Sequence, residues 1–83
     1  MLAIDTKVIL RTFNGKYLPP KECRPDENYW VLVGETGTVI ELKNTRERVL
    51  VKFDAPVVEL GLHCHNSIPN SLFILESDLE VLP

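Results

Sequence analysis

The sequence predicts a small, strongly bent antiparallel β barrel of about five strands. Three observations predict it. Val49, Val51 and Phe53 alternate with Leu50 and Lys52, the period-two signature of a strand with one buried face. Short strand-like runs are broken by turn residues, among them Gly34 and Gly37, where glycine permits backbone angles that other residues resist. No stretch of eleven or more residues shows helical periodicity.

Size and composition bound the answer. The chain of 83 residues makes one domain, residues 1–83, without room for a second core. With 45% hydrophobic and 25% charged residues it is globular rather than disordered. A net charge of -3 is mild and argues against a coat for nucleic acid or anionic lipid. The first thirteen residues place no basic region ahead of a long apolar run, so no signal peptide is expected. No apolar run of 18 residues exists to span a bilayer. Two cysteines, Cys23 and Cys64, do not make a disulfide framework, and a cytoplasmic chain with reduced thiols is the expectation.

Residues 5–13 form the first expected strand, with Val8, Leu10 and Thr12 on one face and Ile9, Arg11 and Phe13 on the other. Asn14-Gly15 stops it with a dipeptide suited to positive backbone angles. Residues 16–33 are irregular, because Pro19, Pro20 and Pro25 each remove a donor and fix one dihedral. Within that loop, apolar Tyr29-Trp30-Val31-Leu32-Val33 is expected to fold back over the barrel. A hairpin follows, with strands at 38–42 and 49–54 joined by residues 43–48. Residues 55–69 are a second irregular stretch, in which residues 57–60 suggest a short edge strand. Residues 71–76 are the fourth main strand. One short 3-10 turn at 77–79, capped by Ser77 or Asp78, then precedes a last strand at 80–82.

An early Val-x-Leu strand (Val8, Leu10), a long loop, Gly-x-x-Gly-Thr-Val (Gly34 to Val39), Val-x-Val-x-Phe (Val49, Val51, Phe53) and Asp-Leu-Glu-x-Leu (Asp78 to Leu82) stand in this order. The layout resembles a family of small SH3-like barrels. That family includes a small accessory protein of photosystem I, the variable chain of ferredoxin–thioredoxin reductase, the barrel domain of nitrile hydratase and bacterial proteins of similar length. Tyr29-Trp30 ahead of the glycines is similar to the photosystem protein. The resemblance implies a non-catalytic accessory chain docked on a larger partner. Such motifs mark architecture and leave function open.

Four chemistries compete. His63-Cys64-His65 with Cys23 supplies the count for a tetrahedral zinc, although alternation points Cys64 away from the two histidines. A Cys23–Cys64 disulfide is a further option for those thiols. Nucleophilic catalysis has candidate parts in Cys64 or Ser67, His63 or His65, and Asp54 or Asp78, but no local signature joins them. Nucleic-acid binding would use Lys16, Tyr17, Lys21, Arg24, Tyr29 and Trp30 with Lys43, Arg46 and Arg48. The acids Glu22, Asp26, Glu27, Glu41 and Glu47 are interleaved with them.

The surplus of apolar side chains favours a protein partner. Ile9, Phe13, Phe73, Leu75 and Leu50 lie opposite the expected interior set of Val8, Leu10, Val39, Val49, Val51, Phe53, Leu72, Ile74 and Leu79. One barrel has one interior, so long loops or another chain must cover the second faces. The expectation is a non-enzymatic interaction module without a cofactor, acting through a protein partner or as a homo-oligomer. Its contact residues would be Tyr17, Tyr29, Trp30, Phe73 and Leu75.

Overall fold

In the computed structural model, which describes residues 2–42 and 46–83, five antiparallel strands form one sheet. They are β1 (Lys7–Leu10), β2 (Thr36–Glu41), β3 (Arg48–Phe53), β4 (Ser71–Leu75) and β5 (Leu79–Val81), in the order β4-β3-β2-β1-β5. The all-β class is therefore as expected, and the arrangement is compatible with an SH3-like barrel. Among the described residues no ladder joins β4 to β5, so the barrel is open. Lys43, and with it residues 43–45 of the expected hairpin link, lies outside the described residues.

Alternation sets the interior. Val8, Leu10, Val39, Val49, Val51, Phe53, Leu72 and Ile74 are buried in one cluster, against which half-buried Leu79 of β5 packs. Side chains from all five strands thus meet one core, which requires the sheet to curl on itself. Tyr29, Leu32, Val57, Leu62 and Cys64 close the core from the two long loops. Tyr29 and Leu32 come from a 3-10 turn at Tyr29–Leu32, preceded by another at Pro25–Glu27. The apolar pentapeptide does fold back over the sheet.

Three expectations need correction. β1 ends at Leu10, so alternation does not run on to Phe13, which belongs to the core instead of the outer face. Residues 57–60 form turns rather than a strand. Hydrogen bonds from Leu60 N–H to the Pro56 carbonyl and from Gly61 N–H to the Val58 carbonyl curl the backbone there. The last 3-10 turn is Glu76–Asp78, with Leu75 as its N-cap and no side-chain cap.

The outer face is also smaller than alternation implies. Leu50 is only 1% exposed although it lies outside the main cluster, and Ile9, Phe73 and Leu75 are half-buried. A bulge helps to shape this face. Val39 pairs with Val51 but Glu41 pairs with Leu50, so β2 carries one extra residue, Ile40.

Gly37 fixes the β2–β3 approach. A Cβ there would stand 2.7 Å from the Lys52 carbonyl oxygen and 2.8 Å from Val51 Cγ1. The backbone of β3 cannot yield without disturbing its ladder to β4. Gly37→Ala should therefore cost about 1–3 kcal/mol, the usual range for overpacking. Urea unfolding checks this, and an unchanged midpoint would contradict the register.

Candidate functional site

The Phe13–Lys16 hairpin is the first component of the site. Phe13 and Lys16 exchange backbone hydrogen bonds at 2.9 and 3.1 Å, and Asn14 and Gly15 both have positive φ, 52° and 78°. A two-residue link with both central residues in that region is a type I′ turn, for which Asn-Gly is a preferred sequence. The sequence therefore specifies this turn directly.

Asp78 holds the turn from the far end of the chain. Its side chain is 0% exposed. The carboxylate accepts from Thr12 Oγ1 at 2.6 Å, from Asn14 N–H at 2.9 Å and from Gly15 N–H at 2.9 Å. Its backbone carbonyl also accepts from Arg11 N–H at 2.8 Å. The three donors to the carboxylate would lose their acceptor if it were removed, which is costlier than the bonds' net contribution.

The aromatic floor packs on the same hairpin. Phe13 meets Tyr29 with ring centroids 5.2 Å apart, and meets Trp30 edge-on at 4.9 Å. Tyr29 donates its hydroxyl to the His63 carbonyl, and His63 N–H donates to the Asp26 carbonyl at 2.9 Å. These two bonds tie the long loops to each other. The Tyr29 phenol is pushed up to about 12, first by burial and then by nearby Glu27, Cys64, Asp26 and Cys23.

Arg48 completes the site. From β3 its Nη1 donates to the Phe73 carbonyl at 3.3 Å and its Nη2 to Asn14 Oδ1 at 2.8 Å. One guanidinium therefore bridges β4 and the Asn14 turn across the gap between them. In that gap lies a cleft of about 510 Å³. Phe13, Tyr29 and Phe73 supply aromatic surface, Leu72 and Cys64 add apolar wall, and Arg46, Arg48, His65 and Asn14 supply the polar groups. Among the described residues no carboxylate lines it.

The expected contact residues are divided by the structure. Tyr29 is 7% exposed and forms floor; Trp30 is half-buried behind Phe13; Phe73 lines the cleft. Leu75 is half-buried two residues along β4. Tyr17 is 74% exposed and is not among the cleft residues. Sequence reasoning missed Asp78 and Asn14 as organisers, and counted Arg46 and Arg48 only among scattered cations. Asn14-Gly15 was the available signal for the turn, but nothing in the sequence links it to residue 78.

The His63-Cys64-His65 segment alternates in burial, although His65 has a positive φ of 59° and the segment is no strand. Both histidines are exposed and Cys64 is buried between them. The imidazoles lie against each other, centroids 4.1 Å apart, and His65 Nε2 is 3.8 Å from Glu27 Oε2. The Cys23 thiol instead lies near the carbonyls of Arg24 and Glu27, at 3.5 and 3.6 Å. Both cysteines are free. Among the described residues no group of three or more His, Cys, Asp or Glu side chains is arranged to hold a metal ion. A second cavity of about 510 Å³ is bordered by Leu62, His63, Cys64 and Pro69, so Cys64 lines both. No helix among the described residues is long and apolar enough to cross a membrane.

Comparison of the chain with protein-family models, with curated proteins and with solved structures gave no match.

Two outcomes follow from the site. Asp78→Asn replaces one acceptor by a donor facing backbone N–H groups and should cost at least about 2 kcal/mol, measured by urea unfolding; a loss below about 0.5 kcal/mol, the size of an ordinary surface change, would contradict its role. Tyr29→Phe should cost about 1 kcal/mol at neutral pH through the lost hydroxyl bond. Because the folded phenol titrates above its ordinary value of 10.0, its stabilisation is present below pH 10 and lost toward pH 12. The stability difference between parent and Tyr29→Phe should therefore narrow across that window in alkaline denaturation series.

Proposed function

We propose that this chain is a non-enzymatic protein-interaction module that docks an acidic segment of a partner in the cleft between β4 and the Asn14 turn. The observation that carries this reading is the charge of the cleft. Arg46 and Arg48 line the cleft together with Phe13, Tyr29 and Phe73, on a chain whose net charge is -3. Arginine together with aromatic side chains is a frequent composition of binding hot spots. A partner with carboxylates is attracted to this spot by the local cations.

A non-catalytic role is supported by how the reactive side chains are engaged. Cys64 is buried, and His65 lies against His63 and near Glu27. Two free cysteines fit a reducing, cytoplasmic setting.

Trp30, the single tryptophan, packs on Phe13 and so reports on the cleft floor by fluorescence. Titration with a capped pentapeptide alternating glutamate and valine should give a saturable change, weakened at least tenfold by Arg46→Glu. A lysine-for-glutamate peptide should not bind. A single-stranded oligonucleotide that binds more tightly than the acidic peptide, with affinity falling steeply with salt, would overturn the reading, as would binding of neither ligand.

A further inference from the structure

We infer that the segment held in this cleft adds as a strand to the outer edge of β4, taking the Phe73 carbonyl from Arg48 and offering that guanidinium a carboxylate in return. The inference rests on the docking reading above and specifies its geometry.

The phase of the β3–β4 ladder shows which backbone groups are open. Phe53 N–H donates to the Asn70 carbonyl at 2.8 Å. With Val51 opposite Leu72 and Val49 opposite Ile74, these pairs exchange the inter-strand bonds, and the residues between them turn their polar groups away. Ser71, Phe73 and Leu75 thus present N–H and C=O groups to the outer edge. The two outward carbonyls at Ser71 and Phe73 are occupied by side chains: Asn66 Nδ2 at 3.2 Å and Arg48 Nη1 at 3.3 Å. The Phe73 and Leu75 N–H groups have no acceptor among the described residues.

The edge is therefore covered by side chains rather than by another strand. Side-chain covers are exchangeable, and the contact of Arg48 with Phe73 is long for a hydrogen bond. An added strand supplies an N–H for the Phe73 carbonyl and carbonyls for the Phe73 and Leu75 N–H groups, the usual source of affinity in strand addition. Phe73 and Leu72 border the cleft, so the added strand runs beside the aromatic floor. Arg48 remains within reach through its second contact, Asn14 Oδ1. The charges favour an acidic peptide over a second copy of this chain: pairing two β4 edges about Phe73 would bring two Arg48 guanidinium groups together. The open length is short, since β4 ends at Leu75 and the chain turns at Glu76–Asp78. A segment of three to five residues, without proline opposite Phe73, fits it.

Leu75 offers a backbone-specific test. Its φ of -62° is already that of proline, and its N–H points away from the β3 ladder. Leu75→Pro removes one edge donor and no β3–β4 bond, and Leu75→Ala controls for the side chain. With the capped glutamate–valine pentapeptide, Leu75→Pro should bind at least tenfold more weakly than Leu75→Ala. Independently, amide exchange at Phe73 and Leu75 in the parent chain should slow at least tenfold on saturation with the peptide. Saturable binding with unchanged exchange at Phe73 would overturn strand addition while leaving the docking reading standing. Absence of binding would overturn both. Protection of Phe73 that rises with protein concentration without peptide would assign the edge to a second copy and overturn the inference.

Discussion

The buried carboxylate of Asp78 is the constraint on which the site depends. Three hydrogen bonds join it to Thr12, Asn14 and Gly15, more than sixty residues away in sequence. They hold the type I′ turn against the last 3-10 turn, and the turn then places two neighbours at once. Phe13 is set inward against Tyr29 and Trp30. Asn14 is set outward, where Arg48 reaches it. Without the carboxylate, the part-buried Asn14 and Gly15 N–H groups would lose their acceptor, a cost borne by the turn rather than by the sheet.

The cleft exists because the sheet does not close. β4 and β5 are both edges, and an unprotected edge invites unwanted pairing. This chain covers its β4 edge with Asn66 and Arg48 instead of another strand. That arrangement leaves a short run of main chain guarded by a positive charge and bordered by aromatic rings. The tie between the long loops, from Tyr29 to the His63 carbonyl and from His63 to the Asp26 carbonyl, anchors the Tyr29 ring that forms part of the cleft floor. Fold and cleft therefore share the same few contacts.

Much of the sheet was legible in the sequence, because alternation and turn chemistry are local. Val49, Val51 and Phe53 announce β3, and Asn14-Gly15 announces its own turn type. Strand ends were less legible: β1 stops at Leu10, where the Leu10 C=O accepts from Gly34 N–H while the N–H of Glu35, opposite Leu10, turns to the Leu32 carbonyl, a tertiary choice. Phe13 was misassigned to the outer face for that reason. Residues 57–60 have strand-like composition but curl, since Val57 is wanted in the core while Val58, Glu59 and Leu60 are exposed. The cleft itself was hidden. Its components come from five separate segments, and neither spacing nor composition reveals that Asp78, Asn14 and Arg48 form one chain of contacts. The histidine–cysteine segment, the sharpest local feature, resolves into two exposed histidines around a buried thiol.

If the cleft beside β4 is where this protein meets a partner, chemical-shift mapping of the labelled chain with the acidic pentapeptide tests it most directly. Perturbations should concentrate at Phe13, Asn14, Arg46, Arg48, Leu72 and Phe73, with Tyr17, Leu18, Val58 and Leu60 unmoved although they are exposed and apolar. Perturbations centred on those four exposed residues, with the Phe13 and Phe73 signals unchanged, would contradict it.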